Sequence, residues 1–161
     1  KGVEELLTAF RQTRRPELRL LLAGRPGSPD FGRWLHEKAS GDGRIVLRLE
    51  NLTETEFRSA LGVCDTIVAP LRDYLHSGSI VHALSAERPV LTPATPFSIA
   101  LRGQVGAEWM RLYDGPLTPE LLQAAMQPPV AGQILGLSDF DTKAVGHQAA
   151  GFFRELISNN S

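Results

Sequence analysis

Apolar residues recur along the chain in two alternating rhythms. Val3, Leu6, Leu7 and Phe10 fall at the i, i+3, i+4, i+7 spacing of an amphipathic helix over residues 3–13, which Pro16 helps to end. Residues 18–23 form a short, mostly apolar run closed by Gly24, the pattern of a buried strand. The loop Arg25-Pro26-Gly27-Ser28-Pro29 leads into a helix over 29–40, and Gly41-Asp42-Gly43 breaks it before a second strand over 45–49. Thr53, with Glu56 three residues later, is the signature of a capping box. The helix it starts carries Phe57, Leu61 and Cys64 on one face. A third strand over 66–69 ends at Pro70, and a polar loop over 72–76 precedes a helix over 77–86. A fourth strand covers 89–91, a short helix 95–102 and a fifth strand 108–112. Thr118-Pro119 supplies an N-cap and a proline at the first helical position of a helix that Pro128-Pro129 ends. Residues 139–157 read as a last helix.

Short apolar strands alternating with helices predict an α/β fold: a Rossmann-like parallel sheet with helices on both faces. Right-handed crossovers then bring every strand-to-helix loop to one edge, so the loops after residues 23, 49, 69 and 91 gather there. Open sheets of this kind bind ligands at that edge.

Composition narrows the classes. A chain of 161 residues is about one domain. With 42% hydrophobic and 22% charged residues it is not a disordered tail. Seventeen basic and eighteen acidic residues give a net charge of -1, so no global field attracts nucleic acid or an anionic membrane. No apolar run reaches the ~18–20 residues of a membrane helix. The single cysteine, Cys64, excludes an internal disulfide and a cysteine-rich zinc site, and points to a reducing compartment such as the cytoplasm. The sequence opens at Lys1 with no methionine and no leader, which reads as one part of a longer protein.

The segment richest in chemistry is Tyr74-Leu75-His76-Ser77-Gly78-Ser79 and the helix that follows. Ser77 is placed to cap, and Gly78 and Ser79 form a first turn with small side chains and no carboxylate. Such a turn can hold a phosphate on its backbone N–H groups, helped by about half a positive charge from the helix dipole. The same residues would equally serve a plain capped helix. Lys1, just ahead of the first helix, could add a point charge, or simply be solvated. His76 lies on the ligand edge, where it would bond a phosphate or a sugar hydroxyl or serve the structure. Its spacing from His82 makes no metal-binding pair, His36 and His147 are expected at the surface, and no metal is expected. Gly24-Arg25-Pro26-Gly27 is not a dinucleotide fingerprint, and neither a phosphate-loop lysine motif nor a Gly-x-Ser-x-Gly elbow is present.

Four stretches, taken in order, carry a resemblance: Lys1-Gly2-Val3-Glu4-Glu5-Leu6-Leu7-Thr8-Ala9-Phe10, Leu18 to Gly24, Cys64-Asp65-Thr66-Ile67-Val68-Ala69-Pro70, and Ala86-Glu87-Arg88-Pro89-Val90-Leu91. Over about residues 1–115 the chain resembles the C-terminal half of GT-B glycosyltransferases of the group 1 type. The resemblance implies one half of a GT-B fold, with residues 1–135 as a nucleotide-sugar-binding domain whose first strand precedes residue 1. Residues 136–161 would be a C-terminal helix packing toward an N-terminal acceptor domain. It implies that Lys1 and the amides of Ser77, Gly78 and Ser79 hold the donor diphosphate. Asn51 and Leu52 become base-contact candidates, and Tyr74, His76 and His82 candidates for the donor sugar or ribose. The substrate would be a UDP-, GDP- or other nucleoside-diphosphate sugar, with no cofactor and no metal, and the acceptor a glycan or a lipid-linked chain. A general base would come from the N-terminal domain, which could also bring the protein to the inner face of the membrane.

One departure from the family stands out. Many members carry two glutamates eight residues apart around the phosphate-binding helix, and those positions here are Tyr74 and His82. The substitution leaves donor and stereochemistry open. It keeps two alternatives alive: a degenerate GT-B-like scaffold or assembly module, and a sugar-nucleotide epimerase, which would need carboxylates near the sugar.

Overall fold

The computed structural model describes residues 2–70 and 77–127. Within them the chain alternates helix and strand: α1 (Val3–Gln12), β1 (Leu20–Ala23), α2 (Pro29–Ala39), β2 (Ile45–Arg48), α3 (Glu54–Gly62), β3 (Ile67–Val68), α4 (Ser77–Ser85), β4 (Val90–Pro93), α5 (Pro96–Val105), β5 (Met110–Tyr113) and α6 (Pro119–Ala124). All described pairings are parallel. Leu20 stands opposite Ile45 and Ala23 opposite Arg48; Val68 pairs with Leu91, and Pro93 with Tyr113. The α/β fold read from the sequence is therefore the fold observed.

Alternation along the strands shows how the layers form. In β4, Val90 packs with Ile80, Leu84 and Leu101 of α4 and α5, whereas its neighbour Leu91 packs with Leu6, Leu7 and Phe10 of α1. Ile67 and Val68 divide in the same way. The cluster around Leu91 takes its helical residues from α1, α2 and α6, and the cluster around Val90 from α3, α4 and α5. Helices thus cover both faces.

The structure adjusts several expectations. The strands form two sheets, β1-β2 and β3-β4-β5, rather than one. The run over 18–23 is not wholly buried: Leu20 and Leu22 point into the core, while Leu21 is half-buried and Ala23 exposed. The face of Cys64 is not part of α3, which stops at Gly62 with Val63 as C-cap, because the chain must turn there to enter β3. Cys64 donates to the carbonyl of Ala60 at 3.2 Å, and burial raises its pKa, so its thiol stays protonated. The helix expected over 95–102 runs on to Val105 and ends at Gly106, whose φ of 96° suits a glycine terminus. The expected helix over 139–157 and the unit 136–161 lie outside the described residues.

Candidate functional site

The parallel register sends the segments after β1, β2, β3, β4 and β5 to one edge, and α2 to α6 all begin there. Four of those five starts are closed by side chains. Ser28 Oγ accepts from the Phe31 amide at 3.1 Å, and Thr118 Oγ1 from Leu121 at 3.3 Å. At α3, Thr53 Oγ1 accepts from the Glu56 amide at 3.3 Å while Glu56 Oε2 accepts from the Thr53 amide at 2.9 Å. Those two bonds from Thr53 hold the Glu56 carboxyl below its ordinary pKa. At α5, Thr95 and Ser98 form the equivalent box, with Ser98 Oγ also donating to the Pro93 carbonyl at 2.7 Å. Acidic residues lie in the first turns of α1, α2, α3 and α6.

The start of α4 differs. Its first turn holds no acidic residue, and Gly78 and Ser79 are exposed. A Cβ built on Gly78 would meet none of the described atoms within 4 Å, so the space beside the turn is open. The helix already includes Ser77, which moves the capping position to residue 76 instead of Ser77. Lys1, Tyr74 and His76 lie outside the described residues. His82 is exposed on α4 and sets its ring edge-on to Phe57 of α3, with centroids 5.6 Å apart. Asn51, exposed, and Leu52, half-buried, sit in the segment between β2 and the Thr53 cap, on the shared edge.

The structure adds a residue that sequence reading left without a role. Gly2 caps α1 with φ of 72°, and a Cβ there would lie 2.1 Å from the Pro70 carbonyl oxygen. Only glycine combines that left-handed backbone with so close an approach. The start of α1 is thereby set against the end of β3, where the chain departs for α4. The one signal in the sequence was a glycine at the start of a helix pattern, where capping alone would favour Ser, Thr, Asp or Asn. Glu5 Oε1 accepts from the Leu117 amide at 2.6 Å and ties the same end of α1 to the β5–α6 segment. Among the described residues no group of three or more His, Cys, Asp or Glu could hold a metal, and no helix is long and apolar enough to cross a membrane.

No family model matches the chain. The chain is similar to two curated proteins from Xanthomonas campestris pv. campestris, each a "GDP-mannose:glycolipid 4-beta-D-mannosyltransferase", one of them from a specified strain. In both cases 32% of 126 residues are identical, which is 78% of this chain and 36% of the relative. The chain thus spans about a third of the length of the curated relatives it matches.

Proposed function

We propose that this chain is the donor-binding part of a GT-B glycosyltransferase, moving a sugar from a nucleoside diphosphate to a glycan, lipid or polysaccharide acceptor. The observation that carries the proposal is the similarity, over 78% of the chain, to enzymes whose names specify GDP-mannose and a glycolipid. GDP-mannose is accordingly the first donor to test and a glycolipid the first acceptor. The small, carboxylate-free turn of α4 on the ligand edge supports the proposal from the structural side.

In this mechanism the amides of Ser77, Gly78 and Ser79 bind the diphosphate and stabilise the charge that grows on it as the glycosidic bond breaks. Donors fixed in advance do this without reorganisation, which is often the largest catalytic contribution. Lys1 adds a positive charge from the start of α1, which Gly2 sets beside Pro70. Asn51 and Leu52 contact the base, and Tyr74, His76 and His82 the sugar or ribose. Amides and lysine together make a metal unnecessary. The acceptor and any general base come from a separate N-terminal domain, and the protein works in the cytoplasm.

The test is calorimetric titration of the full-length protein with GDP and UDP, alongside product analysis with GDP-mannose and a glycolipid. Binding of one nucleotide, lost in Ser79→Asp, supports the site. Undiminished affinity in that variant removes it. The absence of glutamate at positions 74 and 82 favours one second reading, a degenerate scaffold. Tight nucleotide binding with no turnover toward any acceptor would select it.

A further inference from the structure

The division of the strands into two sheets is informative because the two share one core. α1 buries Leu6, Leu7 and Phe10 in the same cluster that holds Leu22 of β1 and Leu91 of β4. Each sheet has one edge strand toward the middle of the chain's topology, and backbone parity shows which groups lie on it. The amides of Leu20 and Gly24 bond to β2, so those of Leu21 and Ala23 point the other way. The amides of Ile67 and Ala69 bond to β4, so that of Val68 points away from β4. Leu21, Ala23 and Val68 have no backbone hydrogen-bond partner among the described residues.

The direction of α1 and the hand of the crossovers assign these edges an occupant. α1 starts against Pro70, at the C-terminal end of β3. It finishes at the N-terminal end of β2, where Arg44 Nη1 donates to the Thr13 carbonyl at 3.0 Å and its guanidinium stacks 4.9 Å from the Phe10 ring centre. α1 therefore runs antiparallel to the strands. A segment entering Gly2 from below, along the sheet, would be a parallel strand joined through α1 to β1. α1 and α2 pack in the same cluster, on the same face. Right-handed crossovers on one face advance in one direction. Since β1 leads through α2 to β2, the strand that leads through α1 to β1 must stand on the side of β1 away from β2. That is the open edge. α4 and α5 pack on the opposite face, so β3, β4 and β5 advance the other way, leaving the open edge of β3 on the far side of the same place.

We infer that β1 and β3 flank a slot for one further parallel strand, and that its occupant is the polypeptide segment leading into Gly2. The order across the completed sheet is β2, β1, the added strand, β3, β4, β5. The added strand is buried on both faces, so it is a run of about four to six residues rich in Val, Ile and Leu. The curated relatives supply the length for it, since most of each lies outside the matched region. The inference is independent of any catalytic role.

Hydrogen–deuterium exchange at single-amide resolution on the full-length protein tests it, with Leu22 and Ile67 as internal references for paired amides. Leu21, Ala23 and Val68 are expected to exchange as slowly as those references, roughly a hundredfold or more below the Arg25 loop. Exchange at the loop rate means an empty slot and overturns the inference. Protection that disappears on dilution means that a second copy fills it, and overturns the choice of occupant. A second measurement identifies the occupant directly. In a Cys64→Ser background, Leu21→Cys is paired with cysteines walked through the five residues before Lys1. Disulfide formation at alternate positions supports the inference; none at any position, in a protein that remains folded, refutes it. Loss of nucleotide binding in Ser79→Asp bears on the α4 turn and leaves these amides unchanged, so the two ideas fail separately.

Discussion

Two helices begin side by side on the ligand edge and treat their first turns in opposite ways. α3 closes its turn from within: Thr53 and Glu56 exchange hydrogen bonds, and Glu54 adds a second carboxylate beside the positive end of the dipole. α4 offers Ser77, Gly78 and Ser79 with no acidic residue, in open space. The helices are neighbours, as the Phe57–His82 contact shows, and similar in length. What separates them is the source of the compensating charge. α3 carries its own anion and gains local stability. α4 leaves the dipole and its free amides available to an anion from outside, which is what a diphosphate ligand requires.

The comparison breaks most sharply under charge reversal. Ser79→Asp gives α4 the carboxylate that α3 already has, and nucleotide affinity should fall at least about tenfold, more than about 1.4 kcal/mol. Glu56→Gln, measured by the same calorimetry, should leave affinity within about twofold. Next in size is Gly2→Val. Its side chain must adopt a left-handed backbone and displace the Pro70 carbonyl, which should cost about 2–4 kcal/mol in urea unfolding. A neutral result would mean that α1 does not start against β3. Thr53→Ala removes one half of the α3 box and should lower stability by about 1 kcal/mol with nucleotide affinity intact.

The smallest effect concerns pH. The Arg44 guanidinium holds the Asp42 carboxyl down to about 2, chiefly through their side-chain hydrogen bond. Glu56 is lowered by its bonds from Thr53. Both groups are more acidic folded than unfolded, so their stabilisation is full above about pH 4–5 and is lost as pH falls through the folded values. Urea midpoints between pH 5 and pH 3 should decline, and Asp42→Asn should flatten part of that slope. The α4 turn, having no carboxylate, should add nothing to it.

Local chemistry was easy to read. The Thr53 box, the Thr118-Pro119 start and the five short strands are each written within a few neighbouring residues, and the structure places them within one to three residues of expectation. Errors clustered at ends. Cys64 keeps the helical spacing of Phe57 and Leu61 but lies beyond the α3 cap, because periodicity continues where the backbone has already turned. α5 outran its expected end because Gly106, rather than a local polar signal, terminates it. The half-exposed state of β1 was hidden in a uniformly apolar run, since Leu21 and Leu22 look alike until a sheet assigns them opposite faces.

Sequence by itself determined the order of elements, their parallel character and the edge on which a ligand would sit, because hydrophobic period, caps and crossover handedness all act over short stretches of chain. It also singled out Ser77, Gly78 and Ser79, whose lack of charge is a property of the residues alone. Only the tertiary structure decided that Gly2 meets Pro70, that His82 faces Phe57, and that the strands divide between β1 and β3. Those facts depend on where distant segments come to rest, and no local free energy encodes a position that packing of the whole core must choose.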